Sequence, residues 1–142
     1  MTEILFYTHV ENKFHTACEI SNKVLRSKRK MMVFAQDESA AAKMDRLMWT
    51  IPALGFLPHC EIGHALAAET PIVISCEADK LAYDDVLLNL HDEVQPFFSR
   101  YQRVIEIVST DAADVTAARS RYKFYKDRGY SITSHDLSKK TS

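Results

Sequence analysis

Four short runs constrain what this chain can fold into: MMVFA at residues 31–35, PIVIS at 71–75, DVLLNL at 85–90 and RVIEIV at 103–108. Each has the length of a strand, and MMVFA is a continuous apolar run of the kind expected for a strand buried on both faces. Strands of that kind need cover on both faces. A fifth short apolar run stands at residues 4–7.

Helical patterns supply the cover. Residues 11–25 carry Phe14, Cys18, Val24 and Leu25 near helical spacing, and a charged turn at 26–30 leads into MMVFA, which makes a strand–helix–strand unit. Asp37 can cap a second helix, ESAAAKMDRLMW at 38–49, whose Met44, Leu47, Met48 and Ile51 form one apolar stripe before Pro52 ends it. Trp49 lies roughly a third of a turn off that stripe, at the edge of the buried face. Pro52, Gly55 and Pro58 make residues 51–62 irregular, and a helical half-turn is expected around 94–101. Ser109, Thr110 and Asp111 offer caps for a last helix running to about Arg128, with Gly129 where a left-handed residue is needed, and ITSHDL at 132–137 closes the chain as an edge strand. Strands alternating with helices imply an α/β layered fold with a largely parallel sheet. A single domain is expected over residues 1–137, with 138–142 as a flexible tail.

Composition bounds the remaining possibilities. Of the 142 residues, 46% are hydrophobic and 26% charged, and Gly and Pro together number seven, so little room is left for disordered linkers. Glu3 and His9 stand where a signal peptide would need a basic start and a clean apolar stretch. Cys18, Cys60 and Cys76 are odd in number and widely spaced, which argues for free thiols in a reducing, cytoplasmic setting.

Several chemistries lack their parts. A nucleotide site at a strand–helix turn needs closely spaced glycines, and Gly55, Gly63 and Gly129 form neither a dinucleotide fingerprint nor a P-loop. No glycine-flanked serine elbow exists, and Cys76 at a strand end has only a weak claim as a nucleophile. His59, Cys60 and His64 lack the second pair that a zinc site needs, so His59 reads as a loop histidine beside a proline. Asp84, Asp85, Asp92 and Glu93 read as a solvated face and helix-start charges. No catalytic residue, cofactor or metal is expected.

The charge is unevenly placed. The formal net charge is −1, yet residues 118–130, ARSRYKFYKDRGY, set Arg119, Arg121, Lys123, Lys126 and Arg128 against Asp127 alone, which leaves the rest of the chain at −5. On a helical wheel Arg119, Tyr122, Lys123 and Lys126 share a sector about 100° wide with Val115 beside them, while Ala118 and Tyr125 point toward the core. Cations in the last turns of a helix also complement its dipole, so the pattern alone does not require a ligand. An acidic peptide ending in a free carboxylate would suit the arginine fork, the lysine charges and the tyrosine face together. Single-stranded nucleic acid is the rival, although a groove tracking a backbone draws its cations from several elements and these come from one.

The blocks MDRLMWTIPALGFLPH at 44–59 and ARSRYKFYKDRGY at 118–130, with PIVIS and DVLLNL between them in order, resemble the chi-subunit family of bacterial DNA polymerase III holoenzyme. The spacing W-x-x-P-x-x-x-F-x-P-H from Trp49 to His59 and the R-x-R-Y-K at 119–123 carry the likeness. The resemblance implies a non-catalytic adaptor with a three-layer Rossmann-like fold, paired with the psi subunit of the clamp loader. It also implies binding of the acidic C-terminal tail of single-stranded-DNA-binding protein, which ends in an aromatic residue with a free carboxylate. By that likeness Arg119 holds the terminal carboxylate, Tyr122 and Val108 line the pocket for the ring, and Lys123 attracts the acidic residues. Lys126 joins them from the wheel. Trp49 and Phe56 match the psi-binding patch. Val115 departs from the family pattern, which can place a lysine there. A direct single-stranded nucleic-acid-binding module using the last helix is the alternative expectation.

Overall fold

The structure, a computed structural model, describes residues 2–50, 59–62, 70–79 and 81–139. Its elements in chain order are β1 (Glu3–Val10), α1 (Lys13–Arg26), β2 (Met31–Phe34), α2 (Glu38–Thr50), β3 (His59–Glu61), β4 (Ile72–Ser75), β5 (Val86–Asn89), β6 (Arg103–Ser109), α3 (Ala112–Asp127) and β7 (Ser131–Asp136). A 3₁₀ turn at Phe98–Arg100 occupies the place of the expected half-turn. Every residue of β2, β4 and β5 is buried, which is the environment their unbroken apolar runs require.

The seven strands form one sheet in the order β3-β4-β2-β5-β6-β1-β7, and every described pairing is parallel. Alternate residues serve opposite faces. Met31, Val33, Ile72, Ile74, Ile105 and Ile107 pack with Ala17, Cys18, Met44 and Met48 of α1 and α2. Ile4, Phe6, Met32, Leu87, Val104 and Val108 pack with Ala118 and Tyr125 of α3 and with Phe98 and Tyr101. Helix, sheet and helix are thus the three layers of a Rossmann-like α/β fold.

The helix ends follow the sequence signals. Asn12 Oδ1 accepts the His15 N–H at 3.1 Å, Asp37 Oδ1 accepts the Ala40 N–H at 2.8 Å, and Asp111 caps α3. Gly129 follows α3 at φ 81°, a left-handed conformation that suits glycine. Two expectations need correction. Residues 59–61 are not irregular: they pair with Ile72, Val73 and Ile74 as β3, a strand of three residues and so too short to leave a periodic signal. Asp85 is not a solvated charge, because it accepts from Arg29 Nε at 2.9 Å and from the Lys30 N–H at 3.1 Å.

One polar cluster lies inside the α3 layer. Glu106, in the middle of β6, is fully buried, and so is Arg121 of α3 at 2% exposure. Arg121 Nε donates to Glu106 Oε1 at 3.0 Å, while the Tyr125 hydroxyl at 2.7 Å and Asn89 Nδ2 at 3.0 Å donate to Oε2. Arg121 Nη1 also donates to the Asp92 carbonyl at 2.8 Å. Burial pushes the Glu106 carboxyl up, and the guanidinium, phenol and amide donors act against that. Removing one partner leaves a buried charge alone, so Glu106→Ala is expected to cost about 3–5 kcal/mol of stability. Urea unfolding of the variant against the parent measures it, and a loss below 1 kcal/mol would contradict the tie.

Candidate functional site

The neighbouring strands β6 and β1 send their following helices in opposite directions. β1 leads through α1 to β2 on one side, and β6 leads through α3 to β7 on the other. Because α1 and α3 lie on opposite faces, their divergence opens a crevice at the C-terminal ends of the two strands.

A bulge shapes that crevice. Tyr7 pairs with Ile107 and Val10 with Ser109, so β1 carries one residue more than β6 between those pairs. On the α3 side a hollow of about 370 Å³ opens, lined by Phe6, Thr8 and His9 from β1, by Val108, Ser109 and Thr110 at the end of β6, and by Val115, Ala118, Arg119 and Tyr122 from α3. Its floor is apolar: Val108 and Ala118 are each 5% exposed. The Tyr122 ring stands as one wall, edge-on to Phe6 with centroids 5.5 Å apart. Arg119 is exposed at the rim and makes no hydrogen bond or ion pair to the described residues.

Arg119, Tyr122 and Val108, singled out from the sequence, therefore meet at one hollow, and Val115 joins them. Lys123 and Lys126 do not line it. Both are exposed on α3, and Lys123 lies 3.6 Å from Asp127. Arg121 belongs to the same run of cations but faces inward to Glu106, so the anion it meets is internal. A glutamate in the middle of a strand buried on both faces was the available signal for this pair. His9 and Thr8 also line the hollow and were not singled out.

The start of α3 is locked beside the hollow. Asp114 Oδ2 accepts the Ser109 N–H at 2.7 Å, and Oδ1 accepts from Lys13 Nζ of α1 at 3.2 Å. Partial burial pushes the Asp114 carboxyl up, but the Ser109 N–H and the Lys13 charge outweigh it and hold it below the ordinary aspartate range.

The second sequence-derived patch is only partly described. Trp49 at the end of α2 is 58% exposed and lies 4.7 Å, centroid to centroid, from the His59 ring. His59 is a buried strand residue rather than a loop histidine, with Nε2 at 3.2 Å from Asp45 Oδ1. Phe56 and His64 lie outside the described residues. The three cysteines are free, and burial pushes the Cys18 thiol up to about 11. No group of His, Cys, Asp or Glu among the described residues could hold a metal ion, and no described helix is long and apolar enough to cross a membrane.

A parallel sheet layered between helices, with an arginine-rimmed apolar hollow at its crevice, defines a Rossmann-like α/β protein whose sequence carries no glycine-rich phosphate-binding motif. Residues 1–133 match the family described as DNA polymerase III chi subunit, HolC, and the chain belongs to that family. It is 31% identical over 137 residues to DNA polymerase III subunit chi of Haemophilus influenzae, covering 93% of this chain and 95% of the relative. It is 28% identical to the subunit of the same name from Pseudomonas aeruginosa, covering 96% and 98%, and 27% identical to that of Escherichia coli, covering 81% and 79%. The chain is an accessory subunit of a replicative DNA polymerase.

The depressed Asp114 carboxyl carries a pH signature. The folded chain holds the carboxylate more readily than the unfolded chain, so its contribution is present above about pH 4 and is lost as pH falls through the folded value. Asp114→Asn is expected to lower stability at pH 7 by about 1–2 kcal/mol and to flatten the decline on acidification. Denaturant titrations at pH 7, 5 and 3.5 check both; an unchanged acid slope would refute the assignment.

Proposed function

We propose that the chain is a non-catalytic adaptor of the cytoplasmic replication machinery, joining the psi subunit of the clamp loader to the acidic C-terminal tail of single-stranded-DNA-binding protein. The observation that carries the reading is the hollow itself: an apolar floor of Val108 and Ala118, a Tyr122 wall and the uncommitted Arg119 guanidinium at its rim. An aromatic side chain next to a terminal carboxylate matches that arrangement, with the ring against the floor and the carboxylate on a planar fork. Lys123 and Lys126, further along α3, attract the acidic residues that precede the terminus.

Psi is assigned to the other half of the molecule. Trp49 is a large aromatic left more than half exposed at the end of α2, the form that interface anchors take. Phe56 is proposed to extend that patch.

Arg119→Ala is expected to weaken an acidic, Phe-ended peptide by roughly tenfold to a hundredfold, and amidating the peptide's terminus should weaken the parent to a similar degree. Trp49→Ala should reduce psi binding and leave the peptide alone. Calorimetric titration of each variant with peptide and with psi separates the two. A same-length oligonucleotide that bound more tightly than the peptide would replace this reading with a direct single-strand binder.

A further inference from the structure

The hollow holds a second basic side chain. His9 lines it from the β1 bulge, at φ 60°. A residue with a side chain is strained in that left-handed conformation and keeps it where its surroundings hold it. Asp136 at the end of β7 does so: its Oδ1 lies 3.0 Å from His9 Nδ1 and also accepts from the Ser138 N–H at 2.9 Å and the Ser138 hydroxyl at 2.6 Å. Thr8 Oγ1 approaches the same ring nitrogen at 3.2 Å. One nitrogen of the ring is thereby tied to the protein, and Nε2 has no hydrogen bond to the described residues.

We propose that His9 Nε2 is a second anion-binding group of the hollow, acting with Arg119 on the terminal carboxylate of a captured peptide. This deepens the tail-receptor reading and rests on it. A protonated imidazole attracts a carboxylate more strongly than a neutral one, so capture through His9 tightens on acidification.

The charges facing His9 differ on its two sides. Arg119 shares the hollow with it on the α3 side. On the α1 side His9 also lines a neighbouring hollow of about 550 Å³ with Glu11, His15 and Glu19, where His15 Nδ1 and Glu19 Oε1 are 3.1 Å apart. Asp136 stands behind the ring from β7. The carboxylates of Glu11 and Glu19 repel an acidic peptide from the α1 side, so its charge is drawn between His9 and α3.

The experiment measures binding of an acidic peptide ending in Phe with a free carboxylate to the full chain at pH 5.5, 6.5 and 8.0 and constant ionic strength, a range in which the peptide carboxylates stay ionised. The parent should bind about threefold to fivefold more tightly at pH 5.5 than at 8.0. His9→Asn, which suits a left-handed backbone, should lose the pH dependence, with an unchanged thermal midpoint confirming the fold. Peptide binding that is flat with pH in the parent, or that keeps its pH dependence in His9→Asn, overturns the His9 assignment and leaves the receptor reading standing. No binding at any pH removes both.

Discussion

The buried ion pair between Glu106 and Arg121 sets the rotation of the last helix, and the candidate site depends on that rotation. With Arg121 and Tyr125 both drawn onto Glu106, α3 has one azimuth at which the carboxylate is satisfied. At about 100° per residue, Tyr122 then lies about 100° and Arg119 about 160° around the helix from Arg121. That turns the phenol ring toward Phe6 and leaves the guanidinium at the rim. Lys123 falls about 200° away, facing water, which accounts for its 76% side-chain exposure. Two arginines separated by one residue thus have opposite fates: one pairs with a carboxylate inside the protein, and the other stands exposed at the rim of the hollow.

The position of the hollow follows from connectivity. In an open parallel sheet the crevice forms where successive crossovers diverge, here between β6 and β1. In nucleotide-binding relatives of the fold, helix N-terminal N–H groups hold the phosphates there. Both helix starts at this crevice already have internal acceptors: Asn12 takes the His15 N–H beside α1, while Asp111 and Asp114 take N–H groups at the start of α3. Glu11 and Glu19 add negative charge on the α1 side. An anion arriving at this crevice must therefore rely on side chains, and Arg119 and His9 are the basic ones lining the α3 hollow.

Most of the architecture was legible because full burial leaves a strong mark: MMVFA, PIVIS, DVLLNL and RVIEIV are strands, and Asp37, Asp111 and Gly129 mark helix ends where the residue types require. The wheel also placed Ala118 and Tyr125 toward the core and grouped Arg119, Tyr122 and Val115. Arg121 fell outside that sector, on the side of Ala118 and Tyr125, but the wheel gave it no partner. Its partner is fifteen residues away in sequence, and only the glutamate inside RVIEIV hinted at it. His9 left less trace. A bulge depends on the register between two strands, and that register is absent from either strand's own pattern. The three residues of β3 carry no period, and the burial of His59 rests on Asp45 of α2.

The sheet also separates the two proposed contacts. Trp49 lies over the β3 edge through its contact with His59, whereas the hollow lies between β6, β1 and α3. Five strand steps separate β3 from β1 in the sheet order, about 24 Å at 4.8 Å per step. Groups that far apart with no shared partner act additively unless a mobile element links them. Between them lie β4, β2 and β5, in which every residue is buried and each strand is bonded to neighbours on both sides. An adaptor needs that independence, since occupation of one end must leave the other able to bind. A parallel sheet with the proposed psi contact at one edge and the hollow near the other keeps the two apart.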